Sequence, residues 1–435
     1  MTAIVGVLNA QGIAIAADSA LTVSGGNIRK VYNKSNKIFT LSKYHPVGIA
    51  IYNNASFMGI PLETLIKMYR KNLKDKGYDT LEEYKTDFLK FLIDSIKFVS
   101  KETKTQCFYE LLWGNYNTIH ENIVTEITAQ IEIINKFNPD EQIKRKNEIA
   151  ELEIKKYFDL ISTYHVSKTF KIEPVDFEKD YKVELESINE YVENKVKEVF
   201  VDVKFNEVAK NLIVQTMLAI SNLNAIFESS CGLIFTGFGE MEVYPSSKVV
   251  TVGYSVGDKL RYNEENAVSI TPGIMNAQIL PYVQGDVTFT VLTGIDPSYK
   301  SEIDKSITIA FKTIAEAIKP KINDAKQSED IEKLINKTST ELISQLEDYK
   351  VSTVTKPLLD TLVHMGKEDM AELAESLVNI TSLKRRFSTA DPSDESVGGP
   401  VDVAIITKGD GFIWMKRKHY FDVEINKGFL NKYFS

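Results

Sequence analysis

The chain has 435 residues, a formal net charge of −8 and apolar and charged fractions that are ordinary for a globular protein. This acidic balance argues against a general nucleic-acid binder, which needs a basic surface. Two cysteines cannot form a disulfide framework, no apolar run approaches the roughly 20 residues of a membrane span, and the first residues lack the pattern of a signal peptide. We therefore predict a cytoplasmic protein with no membrane segment and no nucleic-acid partner.

The first predicted element is a β-hairpin. Residues 3–7 and 12–17 are short apolar runs, and the turn-forming residues 9–12 separate them. Removal of Met1 would make Thr2 the first residue of the hairpin, with a free α-amine beside its own hydroxyl. The ordinary pKa of such an amine is about 8, close enough to neutrality to accept a proton. One residue would then supply both a nucleophile and its base.

Two charged residues follow at the places where this chemistry needs them. Asp18 ends the second predicted strand, and Lys37 starts another at residues 37–41. A nearby lysine would lower the pKa of the Thr2 amine by charge repulsion, and an aspartate would hold that lysine in place. The pattern predicts an activated threonine.

The same residues resemble a known family. Thr2 before a short apolar strand, residues 16–18 and residues 37–39 are similar to the proteasome type of N-terminal nucleophile hydrolases, which includes proteasome β-subunits and bacterial HslV. The resemblance implies that Thr2 is the nucleophile, Asp18 the catalytic-site acid and Lys37 the catalytic-site base.

A polar turn follows the next predicted strand, residues 47–51. In the resembled family a glycine-containing turn at this place offers backbone N–H groups to an oxyanion. This chain has no glycine there, and Asn53 is the best match because asparagine tolerates tight-turn dihedral angles. The alternative is an ordinary polar turn that precedes a helix.

Helical patterns dominate the middle of the chain. Helices are predicted to begin at Pro61 and Leu81, where apolar residues recur at helical spacing. Residues 101–230 are predicted to be a helical insertion. Strand character returns in residues 231–262, and residues 263–364 are predicted to be a second insertion, mixed and then helical. The predicted core comprises the remaining three segments, residues 1–100, 231–262 and 365–435.

A second matching segment lies near the end of the chain. Asp394 and Ser396 precede a Gly-Gly pair, and an apolar strand and a final strand follow. The resemblance implies that Asp394 and a nearby serine orient the threonine amine. Alignment on the glycines puts Val397 where the family has its serine, so Ser396 lies one position early. Either a one-residue bulge brings Ser396 into the site or it is uninvolved.

The resemblance implies an α+β fold, a four-layer αββα sandwich of two facing antiparallel sheets between helices, enlarged by large helical insertions. It implies a threonine protease that hydrolyses peptide or protein substrates without a cofactor and that self-associates, in the family's case as rings. The histidines have no metal-ligand spacing, so no metal is expected.

Three alternatives stay open at this point. The missing glycine and the displaced serine favour a catalytically inactive assembly or interaction protein with the same fold. A small-molecule amidase would use the same nucleophile. The third concerns a partner: the chain has no ATPase segment of its own, so a separate ATPase unfoldase could act with it.

Overall fold

A computed structural model describes most of the chain, namely residues 2–25, 28–265, 267–321, 325–387, 398–418 and 424–428. Within these ranges it is a mixed α and β protein whose sheets are antiparallel. No helix in them is both long enough and apolar enough to cross a membrane.

The strands are numbered in chain order. They are β1 (Ile4–Asn9), β2 (Gly12–Ala17), β3 (Leu21–Gly25), β4 (Ile28–Tyr32), β5 (Ile38–Thr40), β6 (Val47–Asn53), β7 (Ser56–Phe57), β8 (Ile60–Pro61), β9 (Cys231–Gly237), β10 (Ser246–Val256), β11 (Lys259–Glu264), β12 (Val268–Ser269), β13 (Ala277–Val283), β14 (Asp402–Thr407) and β15 (Gly411–Lys416).

The α-helices are numbered in the same way. They are α1 (Leu62–Leu73), α2 (Leu81–Ser95), α3 (Lys101–Ile134), α4 (Pro139–Ser162), α5 (Pro174–Asp180), α6 (Lys182–Lys197), α7 (Glu207–Ser221), α8 (Asp286–Thr293), α9 (Pro297–Ile318), α10 (Ala325–Lys350), α11 (Lys356–Val363) and α12 (Lys367–Phe387).

The first sheet joins strands from distant parts of the chain. Its order is β13-β1-β2-β14-β15. The predicted hairpin is confirmed, since Ile4 pairs with Ala17 and Asn9 pairs with Gly12. On the far side of β2, Asp402 is also opposite Ala17. The start of β1 therefore lies at the same end of the sheet as the start of β14.

The second sheet has the order β11-β10-β9-β6-β5, and the short β12 pairs with β10. Ile38 is opposite Ala50, and Asn53 is opposite Cys231. Because β5 and β6 are antiparallel, the start of β5 and the end of β6 lie at the same end of this sheet.

Alternating side chains give each sheet two apolar faces. Ile4 and Ile15 of the first sheet share one buried cluster with Ala50 and Ile234 of the second. The side chains at the alternate positions of these strands point to the opposite face of each sheet and belong to two further clusters. At roughly 1.5–3 kcal/mol for each large apolar side chain removed from water, these clusters supply most of the stabilisation that offsets the ordering of the strands.

The two further clusters bring helices onto the sheets. Val5 and Ala16 of the first sheet pack with Ala374 and Leu377 of α12. The outer face of the second sheet packs with α1 and α2, and this cluster continues into α3 to α7. Its apolar members from the sheet alternate with those of the inner cluster: Ile49, Ile51, Leu233, Phe235, Val250 and Val252.

The segment predicted to be a helical insertion, residues 101–230, contains the helices α3 to α7. The hydroxyl of Ser100 caps α3 by accepting a hydrogen bond from the Thr103 N–H, which satisfies one donor of the first turn. Within α3, Phe108, Ile119 and Ile123 lie on one side of the helix and are buried.

Two strands, the short β12 and the longer β13, lie outside the predicted core segments. β13 belongs to the predicted second insertion, residues 263–364, but it pairs with β1 as the edge strand of the first sheet. Pro281 made this stretch resemble a loop, because proline cannot donate a ladder hydrogen bond. Proline is tolerated on an edge strand, where its nitrogen needs no partner, and Pro281 lies opposite Val5 on that edge.

Candidate active site

Four of the predicted site residues lie at one end of the two sheets. Thr2 comes just before β1, Asp18 follows β2, Lys37 precedes β5 and Asn53 ends β6. Within each sheet the antiparallel pairing brings the two positions to the same end. An ion pair between the Lys37 ammonium and the Asp18 carboxylate joins the ends of the two sheets to each other.

The Asp18 carboxylate is the centre of this arrangement. It is 1% exposed, and its Oδ1 accepts hydrogen bonds from Lys37 Nζ at 2.6 Å and from the Ala3 N–H at 2.9 Å. Because both bonds end on one oxygen, the ammonium lies close to the peptide bond that joins Thr2 to Ala3. Thr2 itself is 8% exposed.

The second oxygen of Asp18 holds the surrounding backbone. Oδ2 accepts hydrogen bonds from the N–H groups of Ala20 and Gly398, each at 3.1 Å. The neighbouring Ser19 hydroxyl donates to the carbonyl of Pro400 at 2.6 Å. Asp18 therefore orders three backbone segments as well as the lysine, and a buried carboxylate with four donors is fully satisfied.

Burial and a neighbouring charge control the pKa of Lys37. Burial lowers the pKa of this ammonium below its ordinary value, since the charged form loses its hydration. Asp18 opposes that effect by attraction, and the positive charge of Lys418 adds to it by repulsion. The result is a lysine that gives up its proton more readily than an exposed one.

Sequence reasoning missed a second buried ion pair beside the first. Asp402 is 3% exposed, and it accepts hydrogen bonds from the ammonium of Lys418 and, at 3.0 Å, from its backbone N–H. The signal for this pair was an aspartate in the otherwise apolar β14, because a buried carboxylate needs a partner. Its partner could not be identified from spacing alone.

Two other predicted site residues, Asp394 and Ser396, lie outside the described residues. The Gly-Gly pair that follows them is described, and Gly399 has φ +76 and packs against Asn33, so that a Cβ there would come within 2.9 Å of the Asn33 carbonyl oxygen. Gly399 thus lets this segment lie close to Asn33, next to the residue whose N–H bonds to Asp18.

Comparison with protein-family models, with curated proteins and with solved structures found no match for the chain. The geometry of the site is therefore the basis on which its chemistry is argued. No group of three or more His, Cys, Asp or Glu side chains that could hold a metal ion occurs in the described ranges.

Asn53 has the unusual backbone conformation that the sequence suggested. Its φ is 60°, in the left-handed region that asparagine and glycine adopt most readily. Its exposed side chain makes no hydrogen bond to Thr2, Asp18 or Lys37 in the described part of the chain. Its role as an oxyanion donor stays a prediction that concerns the backbone of this turn.

The strained turn gives a first prediction. Asn53→Ala is expected to lower the free energy of unfolding by about 1 kcal/mol, because alanine pays a steric cost at positive φ. Asn53→Gly is expected to be neutral or slightly stabilising, since glycine has no Cβ. Urea unfolding of both variants measures the difference, and equal stabilities for the two would contradict the assigned conformation.

Proposed function

We propose that the chain is a threonine-dependent amide hydrolase of the N-terminal nucleophile type, with Thr2 as its nucleophile once Met1 has been removed. The observation that carries this proposal is the shared Asp18 oxygen, which binds both Lys37 Nζ and the Ala3 N–H. It places a buried ammonium beside the first peptide bond after Thr2. Such a charge is what lowers the pKa of a threonine amine and favours its action as a base.

The packing of the chain supports the fold that goes with this function. Helix α12 and its neighbours cover one face of the first sheet, the two sheets share an inner apolar cluster, and α1 and α2 cover the outer face of the second sheet. We propose on this basis the four-layer αββα sandwich of the N-terminal nucleophile hydrolases, enlarged by the helical insertion.

The proposed reaction proceeds in two stages. The Thr2 Oγ attacks the carbonyl carbon of an amide, and the Thr2 amine, through a water, takes the hydroxyl proton. Lys37 offsets the negative charge that develops, while Asp18 holds Lys37 in position. Backbone N–H groups at the Asn53 turn stabilise the oxyanion. The carbon–nitrogen bond breaks, the leaving amine receives the proton, and water then releases the acyl group from Thr2.

The substrate we propose is a peptide or protein, and the assembly is a homo-oligomer, in the form of a ring. A cytoplasmic location belongs to the same proposal and agrees with Cys107 and Cys231, which are free thiols buried in the core. A small amide is the other substrate class that the same nucleophile would accept. Assaying a peptide library beside small amides separates the two classes.

Covalent labelling tests the proposed nucleophile directly. An epoxyketone forms a ring with a hydroxyl and an adjacent free amine, whereas a β-lactone acylates the hydroxyl alone. We expect both reagents to modify Thr2, as located by mass spectrometry of peptides from the labelled protein. Labelling by the lactone without the epoxyketone would indicate that the Thr2 amine is blocked.

The matched control is Lys37→Met, which keeps Thr2 and its amine but removes the ammonium. It is expected to react far more slowly with both reagents. If Thr2 is the verified amino terminus and neither reagent labels it, the proposal of catalysis is wrong and the protein is an inactive assembly or interaction protein.

A further inference from the structure

A second feature of the chain lies away from the candidate active site. A cleft of about 570 Å³ separates α1 from the turn between β5 and β6. We call it the basic cleft, and it is lined by Lys43, Tyr44, Lys67, Arg70, Lys71, Lys74 and Asp75. Five cations and one carboxylate thus surround it, in a chain whose net charge is −8.

The walls of the basic cleft are fixed by hydrogen bonds. On one wall, the Ser42 hydroxyl accepts bonds from the N–H groups of Tyr44 and His45, which shape the turn. The ring of His45 bonds the carbonyl of Asp75 on the other wall at 2.9 Å. The cleft therefore has a defined width before any ligand enters.

Most of the positive charge in the cleft has no counter-charge. Lys67 pairs with Glu63 at 2.5 Å on the same helix. Among the described residues, no carboxylate lies within ion-pair distance of the other four cations, which are Lys43, Arg70, Lys71 and Lys74. Like charges that face one cleft repel each other, and a bound anion would remove that cost.

Helix electrostatics explain only part of this charge. Cations near the end of a helix interact favourably with its dipole, which accounts for Arg70 and Lys71 in the last turn of α1. Lys43 belongs to the turn on the opposite wall and not to α1, so the preference for cations in the last turn of a helix does not account for it. Its position across the cleft is what a multivalent anion between the two walls would require.

We propose that the basic cleft binds a small ligand that carries several phosphates. Arginine and lysine are the side chains that bind phosphate oxygens, and the cleft volume lies within the range of small-molecule sites. The ring of Tyr44, which is 60% exposed, offers a flat surface at the rim for the organic part of such a ligand. A long polyanion would meet the negative charge of the rest of the chain, which favours a small ligand over nucleic acid.

This site is distinct from the proposed active site. The basic cleft adjoins the end of β5 at Thr40, whose carbonyl accepts a bond from Arg70, whereas Lys37 lies at the start of that strand. The two sites are therefore at opposite ends of the second sheet, and binding at one can be tested without activity at the other.

Calorimetric titration of the full chain tests the proposal with three probes, in metal-free buffer. The probes are inorganic triphosphate, adenosine triphosphate and a 20-nucleotide DNA duplex. We expect both triphosphates to bind with an affinity that falls as salt is raised, because the contacts are ionic. If adenosine triphosphate binds more tightly than inorganic triphosphate, the organic part of the ligand contacts Tyr44. If the two bind with equal affinity, the ligand is a free polyphosphate.

The variant Lys43→Gln/Lys71→Gln/Lys74→Gln removes three exposed charges and leaves the half-buried Arg70 in place. It is expected to weaken triphosphate binding about tenfold or more, through lost phosphate contacts. The matched control, Lys136→Gln/Lys168→Gln/Lys312→Gln, removes the same charge from other exposed sites and is expected to bind as the unchanged protein does. No binding of either triphosphate, equal losses in the two variants or a preference for the duplex would each overturn the proposal.

Discussion

Thr2→Ala is expected to lower kcat for amide hydrolysis by about 10³-fold or more, as the loss of a covalent nucleophile does in other hydrolases. The substitution removes the hydroxyl that would form the acyl intermediate and leaves the amine, Asp18 and Lys37 in place. Thr2→Ser keeps both hydroxyl and amine and is expected to retain a substantial part of the rate. Hydrolysis of a fluorogenic peptide library measures all three proteins.

The comparison is informative because neither change should disturb the fold. Alanine and serine are smaller than threonine at a position that is 8% exposed, and the hydrogen bond from the Ala3 N–H to Asp18 uses only the backbone. Intact mass must show that Met1 is absent from each protein. If Thr2→Ala hydrolyses peptides at the original rate, then Thr2 is not the nucleophile, whatever the other variants do.

Arg261→Ala is expected to cause the largest loss of stability, about 3–5 kcal/mol, because it leaves a buried charge without its partner. The side chains of Arg261 and Glu228 are both fully buried and form an ion pair. Arg261 also donates hydrogen bonds to the carbonyls of Ser221 and Ala225, each at 3.0 Å. This one side chain ties β11 to the end of α7 and to the loop that follows it.

A double variant separates the charge from the packing. Arg261→Met/Glu228→Gln fills a similar volume and leaves no unpaired charge, so it is expected to be more stable than Arg261→Ala alone. Lys144→Ala, at an exposed ion pair with Glu148, serves as the surface control and should change little. Urea unfolding, followed by circular dichroism, measures the order of stability of these three variants. A midpoint for Arg261→Ala equal to that of the control would refute the structural role of the buried pair.

Local sequence patterns were sufficient for much of the secondary structure. Residues 3–7 and 12–17 alternate between two apolar faces around a turn, and they form the β1–β2 hairpin. The start of α2 was also readable, since Thr80 and Glu83 form a capping box at its first turn. These features depend on residues that are close to each other in the sequence, so they can be predicted from a single sequence.

Features that depend on distant partners were harder to predict. β13 was missed because its Pro281 is acceptable only at a sheet edge, and nothing in the local sequence marks that edge. The placement of Lys37 beside Asp18 was anticipated through the family resemblance, but their contact is a matter of tertiary packing. The pairs Asp402–Lys418 and Arg261–Glu228 become visible only when the strands that bury them are assembled.

The hydrogen bond from Gly398 to Asp18 spans 380 positions of the chain. During translation, at about 5–20 residues per second, the helices α3 to α7 can form from local contacts long before β14 emerges from the ribosome. Of the four hydrogen bonds to Asp18, the one from the Gly398 N–H can form only after the segment that precedes β14 has been synthesised. If the chain is the proposed hydrolase, the hydrogen bonds around Asp18 would therefore be complete only after nearly all of the chain has been synthesised.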